Sequence, residues 1–116
     1  GTDIAGVEEE QFVSQTLKCT FGGRNSSESD TVEGMGTQIP YYNILNEDHY
    51  AATSTDILRP TQGAFTVMQY ADGQDAAVAY KGKDYRSFTM GFPFECIKSE
   101  QKQGSVMRGI LNFLLK

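Results

Sequence analysis

The chain has 116 residues, of which 39% are hydrophobic and 22% charged, and this composition is ordinary for one globular domain. The net charge of -5 argues against a nucleic-acid binder and against charge-driven attachment to a membrane surface, because both need clustered Lys and Arg side chains. The sequence has no apolar run long enough to cross a bilayer and no segment that resembles a signal peptide.

The first half of the chain predicts one helix and two short strands. Asp3 can cap a helix whose first turn is acidic, which suits the positive end of the helix dipole. Alternating residues then predict a strand over residues 17–21, and the polar residues 22–30 predict a loop. A second strand is predicted over residues 41–45. Residues 46–63 lack periodicity and are predicted to form an ordered loop.

The second half predicts a three-stranded meander. Its first strand covers residues 64–70, and Asp72-Gly73 supplies the turn that follows. Residues 76–80 form a continuous apolar run, which is expected of a strand covered on both faces. After a second turn, Phe88 and Met90 alternate with polar residues in the third strand.

A C-terminal amphipathic helix completes the predicted elements. Ser99 or Ser105 can cap it. Its apolar stripe consists of Val106, Ile110, Phe113 and Leu114. The predicted fold class is therefore α/β, with a central sheet that includes the meander and with the N- and C-terminal helices packed on it.

Cys19 and Cys96 allow one disulfide that would close a long loop. The alternative is a pair of buried free thiols that pack as small hydrophobic side chains, and we favour it. A bridge would fit an oxidising compartment.

The order of several short segments resembles one group of domains. These segments are residues 56–60, 68–70, 76–80, 85–86 and 110–114, together with the corner Gly91-Phe92-Pro93-Phe94-Glu95. They resemble the C-terminal part of class I glutamine amidotransferase-like (flavodoxin-like) domains of large secreted bacterial proteins of the xanthan-lyase or glycoside-hydrolase-associated type. The resemblance covers roughly the last half of the chain well.

In active members of that family, a His-Pro-Glu segment after a late strand completes a triad with a cysteine nucleophile. The resemblance puts Glu95 at the glutamate position and Pro93 at the histidine position. Proline cannot act as a base, and no nucleophile elbow is present, so amidotransferase activity is not carried over. A complete domain of the family has further strand-helix units before the matched region. Residues 1–116 are therefore either a compact single domain or a fragment of a larger one.

Glu95 is the first candidate for catalysis, because neighbouring aromatic side chains would partly desolvate its carboxylate and raise its pKa. Acid-base chemistry on a polysaccharide needs a second group, for which Asp56 and Tyr50 are available in type. The favoured alternative is structural: Glu95 caps the following helix or pairs with Arg86 or Arg108.

Tyr85, Arg86 and His49 are the candidates for contacting a ligand, since aromatic faces stack on sugar rings. His49 is the only histidine, and a lone histidine among loop acids does not make a zinc site, so no metal and no cofactor is predicted.

The resemblance implies a non-catalytic accessory or interaction module of a secreted bacterial carbohydrate-processing protein, and the residues themselves indicate only that the amidotransferase machinery is missing. By the resemblance, its location is secreted, periplasmic or cell-surface, and its partner is a polysaccharide or another domain of the parent protein. The alternative is a carbohydrate-active hydrolase or lyase that uses Glu95 with loop residues. A third interpretation is a structural piece that completes a larger domain and leaves a sheet face uncovered without it.

Overall fold

The computed structural model describes residues 17–25, 30–43 and 55–116. In these residues the strands are β1 (Cys19–Asn25), β2 (Thr31–Gly34), β3 (Thr37–Pro40), β4 (Thr55–Pro60), β5 (Phe65–Tyr70), β6 (Asp75–Lys81) and β7 (Arg86–Met90), and they are followed by a 3-10 turn (Phe94–Cys96) and by α1 (Glu100–Leu115). Five strands form one sheet in the order β3-β2-β5-β6-β7, and β1 and β4 form a separate two-stranded sheet.

The predicted α/β class is wrong. Every strand pair in the described residues is antiparallel, and these residues contain a single α-helix, so the protein is mostly β. A flavodoxin-like arrangement needs parallel strands with helices between them. The predicted N-terminal helix lies outside the described residues.

The central strand β6 is covered on both faces, as its apolar run predicted. Ala77 belongs to the cluster that includes Val106 and Ile110 of α1. The next residue, Val78, points to the opposite face. There it packs with Cys19 and Leu58 of the two-stranded sheet. The run is apolar because α1 covers one face of β6 and the two-stranded sheet covers the other.

The predicted meander is confirmed, because β5, β6 and β7 follow one another as antiparallel neighbours. The turn between β5 and β6 contains Gly73 at a φ of 88°, a left-handed conformation that favours glycine. The Asp72 carboxylate accepts a hydrogen bond from the amide of Gln74 at 3.0 Å, which stabilises the turn.

Several predictions in the first half are wrong, and for β1 and β4 the reason is that the two strands pair with each other over a long distance in sequence. Strand β4 lies within the predicted loop at 46–63, and β1 continues to Asn25 through the predicted polar loop. Tyr41 makes one isolated bridge with Ile97 in place of the start of a strand at 41–45. The hairpin of β2 and β3 has no counterpart among the predicted elements.

The C-terminal helix is confirmed and begins after Ser99, whose hydroxyl accepts a hydrogen bond from the amide of Lys102 at 3.0 Å. Its buried residues are Val106 and Ile110. Near its end, Phe113 makes edge-to-face contacts with Phe65 and Phe88 at ring distances of 6.0 and 6.3 Å. The helix therefore packs on the sheet by its predicted stripe.

The chain crosses the end of the large sheet between β7 and α1. It leaves β7 at one edge, and residues 91–98 bring it to the opposite edge, where the amide of Lys98 donates to the carbonyl oxygen of Pro40 at 2.8 Å. The helix then returns over the sheet. Arg86 at the start of β7 donates to the Phe113 carbonyl oxygen near the helix end, at 2.7 Å.

Candidate functional site

The Gly91-Phe92-Pro93-Phe94-Glu95 corner is anchored in the core by Phe92, which is 1% exposed. Its ring stacks on Tyr41 at 5.5 Å and meets the edge of Tyr70 at 6.3 Å. This aromatic group joins the residue after β3, the end of β5 and the corner, so the corner has a clear packing role.

Gly91 is required by a close backbone contact. The amide of Asp56 donates to the Gly91 carbonyl oxygen at 2.7 Å, and the Tyr70 hydroxyl donates to the Asp56 carbonyl oxygen at 2.7 Å. A Cβ atom at position 91 would overlap the Asp56 carbonyl oxygen. The glycine therefore lets the two-stranded sheet dock on the end of the large one.

Glu95 is exposed and lies in the 3-10 turn, where it lines an open groove of about 530 Å³. The groove is lined by Leu17, Phe88, Thr89, Met90, Phe92, Pro93, Phe94 and Glu95. The expected structural contacts of Glu95 are wrong. Ser99 caps the helix, Arg86 donates to the Phe113 carbonyl oxygen, and Arg108 donates to the Ser105 hydroxyl.

The catalytic candidates do not share a surface. Asp56 has no exposed area, and it is not among the residues that line the groove beside Glu95. Tyr50 lies outside the described residues. The fold therefore does not bring the Asp56 carboxylate to a solvent-accessible site with Glu95.

The ligand-binding candidates lie at the other end of β7. Tyr85 lies directly before the five residues of that strand, and Glu95 lies beyond its other end. The length of the strand, about 17 Å, therefore separates the Tyr85 end from the Glu95 end. The Tyr85 ring contacts that of Tyr80 at a centroid distance of 5.2 Å. The bond from the Arg86 guanidinium to a carbonyl near the helix C-terminus is electrostatically favourable. His49 lies outside the described residues.

The sequence did not predict which backbone amides and carbonyls of β7 point away from β6. The amide of Gly82 donates to the Tyr85 carbonyl oxygen at 2.9 Å, and the amide of Gly91 donates to the Ala76 carbonyl oxygen at 2.7 Å. Within the ladder of β6 and β7, these two bonds make the odd-numbered residues of β7 the hydrogen-bonded ones. The amides and carbonyls of Arg86, Phe88 and Met90 consequently point away from β6, and of these three residues Phe88 and Met90 line the groove.

Both cysteines are free and buried, as favoured from the sequence. Burial raises the pKa of the Cys19 thiol, and a contact with the Thr89 hydroxyl partly offsets this increase. Burial also raises the pKa of Cys96, and the negative charge of Glu95 raises it further. Neither environment favours the reactive thiolate. No group of three or more His, Cys, Asp or Glu residues that could hold a metal occurs in residues 17–25, 30–43 and 55–116.

Comparison with protein-family models, with curated proteins and with solved structures found no match to this chain. Among the described residues, no helix has both the length and the apolar character needed to span a membrane.

Proposed function

We propose that this chain is a non-catalytic interaction module of a secreted bacterial carbohydrate-processing protein. The separation of the candidate acids carries the proposal: Glu95 is exposed in the groove, whereas Asp56 is fully buried. Glycoside hydrolysis uses two carboxyl groups that flank one bond, which these two residues cannot do in this arrangement. The class of the parent protein rests on the resemblance of the second half of the chain alone.

The composition of the groove also supports an interaction role. Its lining residues are mostly apolar, and Glu95 is the only ionisable side chain among them. Apolar surface beside outward-pointing backbone groups suits a polypeptide partner better than a sugar, whose hydroxyl groups need several polar side chains.

The proposal is tested by incubating the chain with a panel of acidic and neutral oligosaccharides. Reducing ends report hydrolysis, and ultraviolet absorbance reports the unsaturated products of a lyase. We expect no turnover by the wild-type chain. Turnover that Glu95→Gln abolishes would overturn the proposal in favour of the hydrolase or lyase, provided that Glu100→Gln, a change of another exposed glutamate, retains it.

A further inference from the structure

Among residues 17–25, 30–43 and 55–116, β7 is an edge strand that pairs only with β6, and its outer edge is regular. The pairing of β6 with β7 has no register shift, so β7 carries no bulge that would twist its edge away. Natural sheets usually protect an edge with lysines, prolines, bulges or a covering segment. Here the only charged side chain of β7 is Arg86, and its guanidinium is bound to the Phe113 carbonyl oxygen.

The opposite edge of the sheet is protected in the usual way. Strand β3 has four residues and ends in Pro40, which has no amide hydrogen. The Pro40 carbonyl oxygen accepts the hydrogen bond from Lys98, and Tyr41 is bridged to Ile97. Within the part of the chain that is described, the β3 edge of the large sheet is therefore protected and the β7 edge is not.

Apolar walls surround the β7 edge. Phe88 and Met90 are half-buried on the helix side of the strand, and Leu17 lies on the other side, where its carbonyl oxygen accepts from the Ser87 hydroxyl at 3.5 Å. Pro93 and Phe94, which follow the strand, also line the groove. An extended segment in this groove would gain main-chain hydrogen bonds and bury apolar side chains on both faces.

We propose that the groove binds an extended apolar segment of another polypeptide, which adds to β7 as a sixth strand. This inference rests on the proposed interaction function and specifies its contact. The outward amides and carbonyls of Arg86, Phe88 and Met90 supply the hydrogen bonds, and the flanking apolar side chains select apolar residues in the partner.

The charges at the two ends define the partner further. Lys81 lies directly opposite Arg86 in the ladder, and Lys83 is exposed in the adjoining turn, whereas Glu95 lies at the far end of the groove. Like charges opposite each other are unfavourable, so an acidic residue of the partner stabilises the Arg86 end. A basic residue suits the Glu95 end.

A second copy of this chain fits the edge less well than a single strand. Two copies of β7 paired antiparallel about Phe88 would be related by a two-fold axis. Each copy carries Leu17 beside Ser87, next to that axis. The two Leu17 residues would therefore meet on the same face of the joined sheet. A single extended segment does not bring a second Leu17 to that face.

The test uses a capped peptide of about seven residues, the usual length of a strand, with alternating Val and Thr, a Glu at one end and a Lys at the other. Methyl groups on alternate amides leave one edge of the peptide able to bond, and the control peptide is methylated on every amide. Residue-resolved amide hydrogen exchange is measured by NMR on the 116-residue chain. We expect fast exchange at Phe88 and Met90 in the free chain and slow exchange at Ser87 and Thr89. The first peptide, and not the control, should slow Phe88 and Met90 roughly tenfold or more.

Three results would overturn the inference. The first is slow exchange at Phe88 and Met90 in the free chain, and the second is exchange at these residues that becomes slower as the protein concentration rises. The third is no change in exchange when the peptide is added. A variant adds a second test. Met90→Lys places a protecting charge on β7 and should abolish the response, whereas Gln38→Lys, on the opposite edge, should keep it. If Met90→Lys does not fold, the responses of the wild-type chain to the two peptides still test the inference. Failure here leaves the non-catalytic role intact, because that role fails only if sugar turnover depends on Glu95.

Discussion

The amide of Asp56 donates to the carbonyl oxygen of Gly91 across 2.7 Å, and this bond joins the two-stranded sheet to the end of the five-stranded one. The Tyr70 hydroxyl donates to the Asp56 carbonyl oxygen and strengthens the same junction. The corner that resembles the end of a catalytic triad thus owes its glycine to packing. Asp56, considered above as a catalytic acid, contributes its backbone to the fold.

Gly91→Ala should destabilise the protein by about 1–3 kcal/mol, because the new methyl group would overlap the Asp56 carbonyl oxygen. The measurement is urea denaturation at neutral pH. Gly104→Ala is the matched control, since the nearest atom to its Cβ is Arg108 Nη1 at 3.5 Å and the site is helical. It should stabilise the protein by up to about 1 kcal/mol. Equal unfolding midpoints for the two variants would contradict the close contact.

Tyr70→Phe should cost about 1–3 kcal/mol, because it leaves the buried Asp56 carbonyl oxygen without the hydroxyl that donates to it. The ring and its contact with Phe92 remain, so the loss isolates the hydrogen bond. Tyr80→Phe is the control at a less buried position and should change the unfolding free energy by less than about 0.5 kcal/mol. A Tyr70→Phe variant as stable as wild type would argue against the junction.

The stabilising effect of Tyr70 should disappear at high pH. Burial is the main cause that raises its pKa, with smaller increases from the charges of Tyr41, Asp56 and Asp72 and a decrease from the Thr55 hydroxyl. Because the pKa is higher in the folded than in the unfolded chain, this contribution is complete below about pH 10, the unfolded value, and is lost as the pH rises above it. The gap in unfolding free energy between wild type and Tyr70→Phe should therefore narrow above about pH 10. A constant gap would mean that Tyr70 titrates normally.

The sequence predicted the elements whose signals are local. The meander has its turn at Asp72-Gly73 and its apolar alternation within a short stretch, and α1 has a continuous stripe and a serine cap. Strand β4 was missed because its partner β1 is far away in sequence, with Cys19 opposite Pro60. Such pairing depends on tertiary contacts more than on propensity.

Two further features could not be predicted because the sequence carries no local signal for them. The hairpin of β2 and β3 turns at Met35-Gly36, both at positive φ, and methionine is not a residue that signals such a turn. The position of β7 at the edge of the sheet that the described residues form depends on the order of strands, which no local pattern encodes. Glu95 was correctly placed after a strand, but its separation from Asp56 follows from the sheet arrangement.

Ser99 combines a useful side chain with a strained backbone. Its hydroxyl caps α1, while its φ of 73° is in the left-handed region that favours glycine. Ser99→Ala should cost about 1 kcal/mol or more, because it removes the cap and keeps the strain. Ser99→Gly loses the same hydroxyl and relieves the backbone, so it should be the more stable of the two in thermal unfolding. The reverse order would show that the backbone at this position is unstrained.

The two thiols should react slowly in the folded protein and fully in denaturant. Both are buried, and burial raises the pKa of each, so little thiolate is available near neutral pH. Alkylation by iodoacetamide, followed by peptide mass spectrometry, measures each site separately. Burial is the main cause of the raised pKa of Cys96 and the charge of Glu95 adds to it, so Glu95→Gln should speed the alkylation of Cys96. Cys19 lies in a different cluster and is the internal control, whose rate should not change. Equal acceleration at both sites would mean that the variant loosens the whole fold, and no reaction in denaturant would mean that the thiols are bridged.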